Sequence, residues 1–496
     1  MKKKEGFNCK KYLDLQTKEI LKRIESFDNK LYLEFGGKLF DDFHASRCIP
    51  GFKPTGKIEL LYKLRKKLEV IFCINATDIE KHKIRADFGI TYDIEVLRLI
   101  DNLRSMDIHV GSVVITQFTG QSSALAFQKK LDNRNIKTYV HTLTKGYPTD
   151  VEMIVSDEGY GANPYIETTK PLVVVTAPGA KSGKLATCLS QLYHEYKRGI
   201  KAGYAKFETF PVWNLPLKHS LNVAYEAATA DLKDVNMVDF FHLEEYGKTA
   251  VNYNRDLEVF PILRGILTKI SGSSMYKSPT DMGVNMIGYC IEDESIVRTA
   301  ARKEIIRRYY KALCEKKNGI LDEEVPNRIK VLMDELDITV EEYPLVKKAI
   351  DKSKKENLPV IALELPNGKI ITGKQTDVMS PAASVILNAI KHLAKIKDEI
   401  HLLAPLVINP MLNMKEDLSP TGNRILTLED VIIGLSISAA TNPTVELALK
   451  QLKKIKWCDA HSTHFIQPTD ERKLRELKIN FTSEPEYYTN NLYFDI

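Results

Sequence analysis

The stretch that most constrains the fold is Pro171–Gly199, PLVVVTAPGAKSGKLATCLSQLYHEYKRG. Leu172–Val175 is a short apolar run with three valines, which predicts a strand buried on both faces. Ala177-Pro178-Gly179 breaks it. From Leu185 the period changes: Leu185, Cys188, Leu189, Leu192 and Tyr196 recur at helical spacing, and Gly199 suits the stop. Strand, glycine loop and helix are therefore expected in succession, with Lys184 at the helix start. Backbone N–H groups at a helix N-terminus attract an anion, and the lysine adds a full charge. That is the physical logic of a phosphate loop. Gly179 and Gly183 would let the backbone approach closely, Lys184 would neutralise phosphate, and Ser182 or Thr187 would donate a hydroxyl. The pattern G-x-x-x-x-G-K-[ST] is met incompletely. Pro178 stands at its first glycine, Gly179 comes one residue late, and Leu185 replaces the magnesium-binding hydroxyl. The alternative is a tight turn between strand and helix with a solvated lysine.

The surrounding chain alternates strand and helix. Leu31–Phe35, Val70–Asn75, Val110–Thr116 and Lys137–His141 read as strands. Lys11–Phe27, Ile58–Leu68, Asp93–Met106, Ser122–Leu131 and Leu221–Leu232 read as helices. This is the pattern of a doubly wound, largely parallel sheet with three layers. Val151–Ser156 and Ala205–Trp213 are also read as extended. From Glu294 to about Glu356 the sequence is charged and helical. Beyond it, Pro366-Asn367-Gly368 between two apolar runs predicts a hairpin, followed by a helix from Pro381 capped by Ser380. The fold class expected is multi-domain α/β. An α/β domain with the P-loop-like turn covers 1–215, a mainly helical middle domain 216–356, and a smaller C-terminal α/β domain 357–496. The last has a deaminase-like opening, but it lacks the H-x-E and P-C-x-x-C ligands of zinc deaminases, so no zinc is expected.

Composition bounds the partners. The net charge of +6 arises from 71 basic and 65 acidic residues, too mixed a balance for a nucleic-acid surface. No apolar run is long enough to span a bilayer and no signal core follows the charged start. Seven scattered cysteines, without a C-x-x-C pair, suit a reducing compartment. A cytoplasmic homo-oligomer that binds neither nucleic acid nor membrane is expected.

Two further groups are candidates. Lys38, Asp42, His44 and Arg47 lie within ten positions after the strand Leu31–Phe35, where α/β proteins keep their chemistry, and would supply catalytic or substrate contacts. Asp157-Glu158 follows an apolar run and would hold magnesium. Zinc-peptidase chemistry requires H-E-x-x-H. His194-Glu195 occurs, but Arg198 takes the second histidine position. His461 and His464 lack neighbouring ligands at metal spacing.

Five runs together resemble a large bacterial family described only as a domain of unknown function. They are LYLEFGGKLFDDFHASR, VSDEGYGANPYIETTKPLVVVTAPG, SGKLATCLSQLYHEYKRGIKAGYAKFE, KSPTDMGVNM and LSISAATNPTVELALKQL. The likeness covers essentially the whole chain. It implies a cytosolic multi-domain α/β protein and no particular function. Some members carry an ATP-dependent peptidase label, and some read G-P-G-S-G-K where this chain has Gly179-Ala180-Lys181-Ser182-Gly183-Lys184. The residues themselves lead first to an enzyme that binds ATP or another nucleotide, with magnesium, for phosphoryl transfer or ligation. A non-catalytic regulatory or scaffold protein binding a small anion or a partner is the second expectation, and a peptidase the third.

Overall fold

The computed structural model describes residues 5–40, 42–85, 89–418 and 424–488. The chain forms two compact units, one over Lys4–Ala301 and one from Arg302 onward.

The first unit is organised on seven strands: β1 (Leu31–Phe35), β2 (Leu68–Asn75), β3 (Val110–Thr116), β4 (Lys137–Val140), β5 (Leu172–Thr176), β6 (Gly203–Phe207) and β7 (Gly283–Val284). Their spatial order is β7-β6-β1-β5-β2-β3-β4, and every neighbouring pair is parallel. The valine run forms β5, wholly buried at the sheet centre between β1 and β2. Crossovers from β1 to β2, β3 and β4 step one way across the sheet. Those from β5 to β6 and β7 step the other way. Right-handed crossovers that run in opposite directions lay their helices on opposite faces, which makes three layers. On one face Tyr32, Ile71, Cys73, Val173, Val175 and Tyr204 pack beneath Cys188, Leu189 and Leu192 of the helix Lys184–Lys197. On the other, the Phe35 and Phe207 rings stack with centroids 4.1 Å apart.

One expectation is corrected here. Val151–Ser156 is not a strand: Val151–Ile154 is a short helix, because the Asp150 side chain accepts the Met153 N–H at 3.0 Å and caps the turn. Of Ala205–Trp213, expected as a strand or extended loop, Ala205–Phe207 lies in the strand Gly203–Phe207 and 208–213 lies outside it. Residues 216–301 lie in the first compact unit. The helix Asn254–Ser271 brings Phe260, Leu263, Ile266 and Leu267 into the same core as Val173 and Leu192. Helical periodicity reports an apolar stripe but not which sheet that stripe covers.

The second unit carries a four-stranded sheet: β8 (Val360–Glu364), β9 (Ile370–Lys374), β10 (Asp459–Ser462) and β11 (Asn480–Ser483), in the order β9-β8-β10-β11. The hairpin turns through Gly368 at φ 82°, a left-handed position that favours glycine. Ser380 accepts the Ala383 N–H at 3.2 Å and starts the helix Pro381–Leu393. Gly373 of β9 lies so close to this helix that a Cβ there would overlap the backbone of Val385. Among the described residues no helix is long and apolar enough to cross a membrane.

Candidate functional site

The turn Ala177–Gly183 leaves the carboxyl end of β5, beside the carboxyl ends of β1 and β2. Crossover direction reverses here, the place where open α/β sheets leave a crevice for ligands. The neighbouring strands hold the turn by its carbonyls. Thr116, the last residue of β3, donates its hydroxyl to the Ser182 carbonyl at 2.8 Å. Asn75, the last of β2, donates to the Lys181 carbonyl at 3.4 Å. Lys181 and Gly183 take left-handed φ values of 58° and 82°. A Cβ on Gly183 would meet Thr116 at 3.0 Å, so glycine serves both the conformation and the close approach. Gly179 packs against the Tyr92 ring, where a Cβ would collide.

Gly183 caps the helix Lys184–Lys197 without a side-chain hydrogen bond. The first N–H groups of a helix have no intrahelical partner and carry its positive dipole end. The Ser182 hydroxyl is buried with no hydrogen-bond partner. Thr187 is one turn inside the helix, 1% exposed, and accepts from the Cys73 thiol at 3.4 Å. It therefore faces the core rather than the turn.

Lys184 is not a solvated lysine. Its side chain is 14% exposed, and its Nζ lies 4.0 Å from Glu34 Oε1. Glu34 stands one residue before the end of β1, level with Val175 of β5, and its Oε2 accepts from the Tyr204 hydroxyl at 2.8 Å. Beyond it on the same side of the sheet, Lys206 of β6 bonds Glu208 Oε1 at 2.5 Å and both Asp256 oxygens at 2.9 Å. Asp256 lies in the first turn of the helix Asn254–Ser271. Burial lowers the affinity of Lys206 for its proton, but Asp256, Glu208 and Glu34 overcome it and hold the ammonium well above the usual lysine range. Burial pushes the Glu208 carboxyl up to about 7; Lys206 opposes this and Asp256 reinforces it.

Of the polar residues after β1, Asp42 and His44 make defined contacts. Asp42 caps the helix Phe43–Cys48 by accepting the Ala45 N–H at 3.2 Å and pairs at 2.9 Å with Lys57, itself only 2% exposed. Burial works to raise the Asp42 carboxyl, and Lys57 overcomes it and holds it below the usual range. His44 packs its ring on Tyr225 and Phe210, with centroids 5.2 and 5.8 Å away. Lys38 is exposed and Arg47 half-buried.

Asp157 and Glu158 are not brought to the turn. Asp157 accepts from Tyr193 at 2.6 Å and pairs with Lys197 at 3.1 Å, while Glu158 pairs with Lys145 at 3.0 Å. Tyr193 and Lys197 lie nine and thirteen residues past Lys184 on one helix, roughly 14–20 Å along its axis. His194 bonds the Asn163 carbonyl at 2.8 Å. Glu195 is fully buried and accepts from Tyr32 at 2.7 Å, so this pair is part of the packing. In the second unit His461 is fully buried between Thr482 and Glu484, at 2.8 and 3.2 Å. Among the described residues no group of three or more His, Cys, Asp or Glu is placed to hold a metal ion.

The sequence reading missed Glu34, Lys206, Glu208 and Asp256. The available signal was a lone charge within an apolar strand, Glu34 in LYLEF and Lys206 in GYAKF.

The family model described as Domain of unknown function DUF1846, N-terminal, matches residues 5–337, and its C-terminal counterpart matches residues 341–493. The chain belongs to the DUF1846 family. It is 56% identical to the UPF0371 protein of Clostridium tetani (strain Massachusetts / E88) over 499 aligned residues, 99% of each chain. It is 55% identical, with the same coverage, to the UPF0371 proteins of Clostridium botulinum strains Kyoto and Alaska E43. Neither the family description nor the relatives' names state an activity.

Proposed function

We infer that the chain binds a phosphate-bearing ligand, a nucleotide, at the Ala177–Gly183 turn and the start of the helix Lys184–Lys197. The observation that carries this reading is the placement of that helix start. It opens a 14-residue helix with no side-chain cap, at the point of the sheet where crossovers reverse. Gly183 admits close backbone approach, Lys184 supplies charge, and the unpartnered Ser182 hydroxyl supplies a donor. Thr187 has no part in it, being engaged in the core.

Titration calorimetry with ATP, ADP, AMP and pyrophosphate tests the reading on the wild type and Lys184→Ala. A charge-assisted hydrogen bond contributes about 1.5–3 kcal/mol, so the substitution is expected to weaken binding roughly ten- to a hundred-fold. Equal affinity in both proteins, or binding by neither, would return the turn to a connection between strand and helix. Measuring turnover in the same samples separates an enzyme from a non-catalytic binder.

A further inference from the structure

We propose that Glu34 makes this site take its phosphate together with a divalent cation, bound between the Glu34 carboxylate and the ligand. The proposal rests on the phosphate reading above and assigns the cation to the sheet. The helix offers no hydroxyl for it, since Leu185 follows Lys184 and Thr187 is held in the core.

Glu34 is the carboxylate nearest the anion-binding lysine, with 4.0 Å between Nζ and Oε1. In the ligand-free chain each neutralises the other. A phosphate that captures Lys184 breaks that balance and leaves the Glu34 carboxylate, 13% exposed, facing an incoming anion. Like charges at this spacing in a partly buried site repel strongly. A divalent cation resolves the conflict: Lys184 exchanges carboxylate for phosphate, and Glu34 exchanges ammonium for cation.

The donor set fits a hard ion. Magnesium is held by one or two carboxylates plus substrate phosphates and water, rather than by an all-protein cage. No such cage exists among the described residues, so the cation would arrive with the ligand. The Tyr204 hydroxyl donates to Glu34 Oε2 at 2.8 Å, which fixes the carboxylate and leaves Oε1 toward Lys184. Glu208 and Asp256 are already engaged by Lys206. The Ser182 hydroxyl in the same turn is buried and has no hydrogen-bond partner.

The test is calorimetry with ATP and with pyrophosphate, each in magnesium and in EDTA, on wild type and Glu34→Gln. Glutamine keeps the shape and can still accept from Tyr204. The wild type is expected to bind at least tenfold tighter with magnesium. Glu34→Gln is expected to lose that preference to within twofold and to bind bare ATP at least tenfold tighter than wild type does. Magnesium dependence that is absent from the wild type, or unchanged by the substitution, overturns the proposal while leaving the phosphate reading intact. Absence of binding by the wild type to every probe, with and without magnesium, overturns both. Should Glu34→Gln not fold, Glu34→Asp takes its place. Its shorter carboxylate is expected to weaken magnesium-ATP binding at least fivefold while bare ATP changes less than twofold; equal changes in both overturn the proposal.

Discussion

Glu208→Gln tests the buried charge cluster at the carboxyl edge of β1 and β6. The Glu208 side chain is 18% exposed and shares Lys206 with Asp256. Burial raises its carboxyl from 4.5 to about 7, against the pull of Lys206. Below about pH 4.5 the group is protonated in both folded and unfolded chains and contributes no difference. Between about 4.5 and 7 the folded chain holds the proton and the unfolded chain has lost it. Stability therefore falls as pH rises through this window and levels off above it. At 1.36 kcal/mol per unit, the rise from 4.5 to about 7 corresponds to about 3 kcal/mol. Glutamine cannot titrate, so the stability of Glu208→Gln relative to wild type should increase by about 3 kcal/mol from pH 4.5 to 8. Urea unfolding at several pH values measures this. The sequence has two tryptophans, Trp213 in the first unit and Trp457 in the second. A Trp457→Phe background makes the signal report the first unit alone, as a chain of two units requires. Carboxylates distant from the Lys206 cluster titrate alike in both proteins and cancel in the difference. A difference that stays flat with pH, or shrinks as pH rises, would refute the reasoning.

Two further substitutions probe the fold by named contacts. Lys57→Met leaves the buried Asp42 carboxylate without its 2.9 Å partner and should destabilise the first unit by about 3–5 kcal/mol. Adding Asp42→Asn should recover most of that loss in the same urea assay, and no recovery would mean that Lys57 acts through packing. Gly373→Ala places a methyl on the backbone of Val385. It should cost about 1–3 kcal/mol by Trp457 fluorescence and leave the Trp213 transition unmoved; a shift confined to Trp213 would contradict the contact.

Much of the architecture was legible because buried parallel strands announce themselves. LYLEF and VGSVVIT formed strands at the boundaries their apolar runs suggested, and the period change after Gly183 placed the helix start. The VEMIVS run misled because its apolar residues resemble a strand, whereas Asp150 before it is a helix cap. For 216–301 the helical period was legible, but not that the helix Asn254–Ser271 packs on a sheet begun two hundred residues earlier. The site was half legible for the same reason. A local motif marks Gly183 and Lys184, while Glu34 is 150 positions away and reaches Lys184 only through strand order. No spacing rule along the chain relates them.

That strand order also gives the turn its polarity. β5 lies between β1 and β2, which both precede it in the chain, so the turn that leaves it lies beside their carboxyl ends. β2 and β3 end in Asn75 and Thr116, whose side chains donate to the carbonyls of Lys181 and Ser182. The acceptors of the turn are thereby drawn onto the sheet. The first N–H groups of the helix are unsatisfied within it by geometry, and the Ser182 hydroxyl has no hydrogen-bond partner. On the opposite flank β1 brings Glu34 beside Lys184 and restrains the charge that these donors would otherwise present alone. Two carbonyls of the turn are thus held by neighbouring strand ends, and Lys184 at its helix start is paired with Glu34.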